Sequence, residues 1–171
     1  MLTLVSCSRE EGEAPFGMIK ASSDVSEFYL YVPNDWQVTT EENSLMASAR
    51  ASESDPSNVT MIGFEDGSKA YDSIDAFWAY YKNEFETRIF DFEENASTFS
   101  LTVEGEATLI DGIAAKKYEY KGKVGGSEFY YTMVLAKIDS VFYIFTYTST
   151  ATLYDKHQND VEVMLDYIDF K

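Results

Sequence analysis

The side chains that carry out most enzymatic chemistry are scarce in this chain. One histidine, His157, and one cysteine, Cys7, stand among 171 residues that include 30 aspartates and glutamates. Cys-based zinc sites need two to four thiolates and His-based ones more than one imidazole, so the inventory supplies neither. A Ser-His-Asp arrangement would have to use His157, and no Gly-x-Ser-x-Gly elbow offers it a serine. His157 is expected instead at the margin of the last helix. Gly125-Gly126 has neither the spacing nor the following helix of a phosphate loop. Carboxylates are the one abundant chemical group. Glu65, Asp66, Asp72 and Asp75 form the densest acidic patch around a turn and are the weak candidates for calcium. The spaced Asp-x-Asp-x-Asp-Gly loop is absent, and acids at the start of a helix are also favoured by its dipole. The expectation is therefore no catalytic residue, no metal site and no cofactor.

Charge narrows the partners. The formal net charge is −17, from 30 acidic and 13 basic residues. Nucleic-acid affinity comes from Lys and Arg displacing counterions from phosphates, so this chain is not expected to bind nucleic acid. Anionic headgroups would repel it too, which argues against electrostatic docking on a membrane. Lys116, Lys117, Lys121 and Lys123 fall within a predicted hairpin and read as its solvent edge. No apolar run reaches the 18 residues that span a bilayer.

The start of the chain suggests another route to a membrane. Leu4-Val5-Ser6-Cys7 resembles the bacterial lipobox, with an apolar residue three before the cysteine and a small one just before it. The resemblance implies a diacylglycerol on the Cys7 thiol, with Cys7 as the new N-terminus. Two or more acyl chains anchor a protein stably, at about 0.8 kcal/mol per buried methylene. Residues 1–7 then read as the shortened end of an export signal, too short to work alone. Residues 8–23 read as a polar tether, and residues 24–171 as one domain.

Within that domain, Phe28, Leu30 and Val32 alternate as in a strand, and Pro33-Asn34-Asp35 makes a turn. Trp36, just after it, is expected in the core. Short strands are expected over 36–40, 44–49 and 59–64. Ile74, Phe77, Trp78, Tyr81 and Phe85 then fall on one helical face, a stripe that reads as core. Four strands follow, turning at Asp111-Gly112 and Gly125-Gly126. Residues 129–136 and 141–147 lack a polar face, so both their sides must be covered. Val161, Met164, Leu165 and Ile168 mark a second helix. The expected fold is α/β (α+β): a mainly antiparallel sheet of six to seven strands with helices on both faces, a three-layer α/β/α sandwich.

This layout resembles the PsbP-like family. The similar stretches are Phe28-Tyr29-Leu30-Tyr31-Val32-Pro33-Asn34-Asp35-Trp36, Asn58-Val59-Thr60-Met61, Gly112-Ile113-Ala114-Ala115-Lys116-Lys117-Tyr118 and Val141-Phe142-Tyr143-Ile144. They are structural positions, so the resemblance implies a fold and a binding role, and carries over no catalytic or metal residue. The reading is a lipid-anchored extracytoplasmic binding or accessory domain, attached to a bacterial cell membrane through Cys7 and acting on an unknown protein partner. Two other readings stay open: a carboxylate-dependent hydrolase, and a carrier of calcium or a small molecule.

Overall fold

A computed structural model describes residues 12–66, 71–90 and 98–171. The chain runs β1 (Met18–Lys20), β2 (Phe28–Tyr29), β3 (Tyr31–Pro33), β4 (Gln37–Val38), β5 (Met46–Arg50), β6 (Asn58–Glu65), α1 (Ile74–Phe90), β7 (Phe99–Ile110), β8 (Ile113–Val124), β9 (Ser127–Ile138), β10 (Val141–Thr150), α2 (Gln158–Asp166) and β11 (Asp169–Phe170). A single 3-10 turn, Tyr154–His157, leads into α2. Met18–Lys20, within the stretch expected as tether, already pairs with β3.

Seven strands form one antiparallel sheet in the order β4-β5-β6-β10-β9-β8-β7. The three long hairpins at its heart are set by local turn chemistry. Asp111 and Gly112 have φ of 50° and 71°, and Gly125 and Gly126 have 57° and 82°. Two consecutive left-handed residues match the right-handed twist of the flanking strands. The β9–β10 hairpin turns at Asp139, also left-handed at φ 50°.

Alternation along β9 and β10 divides the core in two. Met133, Leu135, Phe142 and Ile144 face α1, together with Tyr118, Tyr120 and Tyr131. Phe77 stacks on Phe142 with ring centroids 4.3 Å apart, and Trp78 stacks on Tyr118 at 3.8 Å. Phe77, Trp78 and Phe85 are buried, while Tyr81 is half-buried beside Phe64. At the far end of α1, Phe90 lies against Gly122, where an added Cβ would meet its ring at 2.4 Å.

The opposite face packs Val134, Ala136, Tyr143 and Phe145 against a different cover. There the expectation of a three-layer α/β/α sandwich is overturned. Strand accounts for 48% of the described residues and helix for 20%, in two helices, so the fold is sheet-dominated. The cover on this face comes from the N-terminal stretch: Phe28, Leu30, Val32 and Trp36, all buried. The nine-residue α2 adds Val161 and Met164. Strands that are apolar on both sides require a cover, but that requirement does not specify a layer of helices.

The Tyr118 hydroxyl is among the buried polar groups out of keeping with this packing. It has no hydrogen-bond partner among the described residues. Burial, with Asp75 and Glu104 nearby, pushes its pKa up to about 12, so it stays neutral. A buried hydroxyl without a partner costs its full desolvation. Tyr118→Phe should therefore raise the unfolding free energy by about 1 kcal/mol in urea titration, and an equal loss would show that the hydroxyl is satisfied.

Candidate functional site

The acidic candidates separate in space. Asp66 and Asp72 line a cleft of about 480 Å³ with Tyr71, Lys137, Asp139 and Ser140. The β9–β10 turn brings Asp139 and Ser140 there, and the start of α1 brings Asp72. The Tyr71 backbone N–H donates to Asp66 Oδ2 at 2.8 Å. Lys137 donates to the Tyr71 carbonyl at 3.2 Å and lies over the Phe142 ring at 5.2 Å. A fixed ammonium therefore shares the cleft with the carboxylates. Glu65 lines a separate cleft of about 280 Å³, and Asp75 is ion-paired with Lys116. Among the described residues, no three Asp, Glu, His or Cys side chains converge as metal ligands would. Cys7 lies outside the described residues.

A second cluster joins residues far apart in the chain. His157 Nε2 lies 3.0 Å from Asp55 Oδ2, and His157 Nδ1 lies 3.2 Å from Asp160 Oδ2. Lys156 donates to the same Asp55 oxygen at 2.8 Å, and the Ser57 backbone N–H donates to Asp55 Oδ1 at 3.0 Å. Asp55 and His157 are each only 6% exposed, and the Trp36 ring meets His157 edge-on at 5.2 Å. Burial pushes the Asp55 carboxyl up, but the bonds from His157, Lys156 and Ser57 outweigh it and hold Asp55 well below the usual carboxylate range. The cluster ties the loop after β5 to the α2 end of the chain. Asp55 was not a candidate in the sequence, because the 102 positions separating it from His157 hide the pair.

A third feature is a surface. On the face that carries α1, the helix packs over β8 and β9. Phe64 of β6 still packs on Phe77 and Tyr81, and beyond it, among the described residues, Ser48, Thr60, Thr146 and Thr148 stay partly exposed. Cross-strand register aligns Ser48, Thr60 and Thr146 in one row, and Gln37, Arg50, Asn58 and Thr148 in the next. Thr39 extends the first row through a 2.9 Å contact between its hydroxyl and that of Ser48. Residues directly opposite in an antiparallel pair point to the same side, so these side chains form one polar platform.

No protein-family model and no curated protein sequence matches the chain. Solved structures do. CyanoP, the cyanobacterial PsbP of Synechocystis, matches with a TM-score of 0.65 at 15% identity, over 96% of this chain and 99% of its own. LpqN of Mycobacterium tuberculosis, described as involved in cell envelope biogenesis, matches at 0.53 and 14% identity, over 84% and 83%. The Ran-binding protein Mog1p of Saccharomyces cerevisiae matches at 0.59 and 8% identity, over 90% and 95%. At such identities the likeness concerns architecture, and the architecture is PsbP-like.

The Asp55 cluster predicts a specific acid limb. A carboxyl whose pKa is lowered by folding contributes stability that is complete above the unfolded carboxylate range. That contribution is lost as pH falls from about 4 toward the lower folded value, because the unfolded chain binds the proton first. Asp55→Asn should cost about 1.5–3 kcal/mol at pH 7. The gap from the parent should then shrink steadily below about pH 4 in urea titrations. A gap independent of pH would mean that the Asp55 charge contributes nothing.

Proposed function

We propose that the chain is an extracytoplasmic binding module, held at a bacterial membrane by acylated Cys7 and acting on a protein partner by contact rather than by chemistry. In this reading residues 1–7 are the end of an export signal, the following stretch up to β1 is a tether, and the binding domain begins with β1 at Met18. The observation that carries it is the partly exposed polar end of the sheet beyond α1. A regular platform of Ser, Thr, Asn, Gln and Arg side chains lies on four strands that the core of the opposite face holds rigid. Polar and open to solvent, it suits a macromolecular surface better than a small substrate, which needs an enclosed pocket. The architecture supports the same reading: it is shared with a protein named for binding Ran, with a protein of cell envelope biogenesis, and with a cyanobacterial PsbP.

The anchoring half of the proposal is tested by expressing the gene behind an intact export signal and labelling cells with a fatty-acid analogue. The parent should carry label and sediment with membranes. Cys7→Ala should lose the label and appear in the soluble fraction. A Cys7→Ala protein that still carries label would overturn the anchor. The contact half is tested in the same cells with a photo-crosslinker at Thr60 or at Leu109, which is 64% exposed on an edge strand away from the platform. A discrete protein adduct from Thr60 and none from Leu109 is the expected result. No adduct from Thr60 would contradict it.

A further inference from the structure

We infer that Arg50 and the hydroxyl-lined groove around it form the seat for a carboxylate side chain of the protein partner. The inference rests on the contact reading above and assigns its chemistry. Arg50 is exposed at the end of β5, and its Nε donates to Gln37 Oε1 at 2.8 Å. That bond fixes the guanidinium and leaves its two terminal nitrogens as a fork for a two-oxygen acceptor.

Lys20, Lys82, Arg88, Lys116, Lys117 and Lys156 each form an ion pair. Lys121, Lys137 and Lys171 lie over aromatic rings instead, whereas Arg50, like Lys123, has neither an ion pair nor a ring among the described residues. Its groove has a volume of about 440 Å³. Ser48, Asn58, Thr60 and Glu53 line it, and Glu53 does not reach Arg50. The Asn58 amide is occupied by the Pro56 carbonyl at 3.0 Å, and the Thr39 and Ser48 hydroxyls bond each other at 2.9 Å. The Thr60 hydroxyl, one strand over from Ser48, has no partner among the described residues and lines the same groove. Guanidinium and hydroxyl together match a carboxylate.

The rest of the chain opposes an acidic partner at long range, since the net charge is −17. That repulsion acts through solvent and is screened beyond about 8 Å at physiological salt, whereas a contact fork is screened far less. Association of two negatively charged species through one local pair should therefore tighten, not weaken, as salt rises from low values to about 0.15 M.

The test is a backbone-amide NMR titration of the described domain within the full chain. The probes are a capped Thr-Glu-Thr-Glu-Thr peptide, its Gln-for-Glu counterpart and inorganic phosphate. The Glu peptide should shift Ser48, Arg50, Asn58 and Thr60, with affinity about tenfold above the Gln peptide and rising with salt. Arg50→Gln should abolish the response while the remaining spectrum stays in place, because the side chain is exposed. Arg50→Lys, a point charge without the fork, should weaken it several-fold, and Glu53→Gln should tighten it. Absence of shifts around Arg50, an equal response to the Gln peptide, or phosphate binding more tightly than the Glu peptide would each overturn the assignment. A Thr60 crosslink in cells combined with a silent Arg50 would overturn the carboxylate seat alone. Loss of the Thr60 crosslink would overturn the contact reading beneath it.

Discussion

Two strands that are apolar on both sides govern this molecule. β9 buries the unbroken run Tyr131–Ala136, and β10 buries Phe142–Phe145. Because successive side chains point to opposite faces, each run divides between two covers. Burying apolar surface contributes about 25 cal/mol per Å², so neither face of this pair can be left to water. One cover is the aromatic face of α1. The other is the N-terminal stretch, with Trp36 and Phe28, closed by α2.

The covers are smaller than the sheet. A helix of 17 residues is about 25 Å long. Seven strands spaced about 4.8 Å apart span roughly 29 Å, and each long strand adds its own length. α1 reaches β10 through Phe142 and β6 through Phe64, and beyond those contacts Ser48, Arg50 and Thr60 stay exposed or partly exposed among the described residues. The side chains there follow from that exposure. Ser48, Thr60 and Thr146 keep strand propensity while meeting water, and their neighbours Ala49, Val59 and Tyr147 point to the covered side and are buried. The platform is thus a by-product of how the core is closed. The Asp55–His157 cluster belongs to that closure too, pinning the α2 end beside Trp36.

What could be read from the sequence depended on range. The α1 stripe and the turns at Asp111-Gly112 and Gly125-Gly126 follow from neighbours three, four or one residue apart, and they were legible. The two-sided apolarity of 129–136 and 141–147 told correctly that both sides are buried. It did not tell what buries them, and the helical sandwich inferred from it was wrong. β1 to β4 are two or three residues long, and no local period specifies strands that short; tertiary pairing does. The candidate sites fared in the same way. Asp66 and Asp72 are near in sequence and share a cleft, whereas Arg50 emerges as a candidate only once β5 is known to lie beyond the reach of α1.

The central claim is that alternate residues of the same strands face a sealed core and an open platform. Solvent paramagnetic relaxation with a neutral soluble gadolinium chelate tests it most directly, read at methyl groups. The account predicts strong relaxation at Thr60, Thr146 and Thr148, and almost none at Ala49, Val59 and Met61 on the same and adjacent strands. Equal protection of the two sets would mean that the platform is covered, and the account would fail.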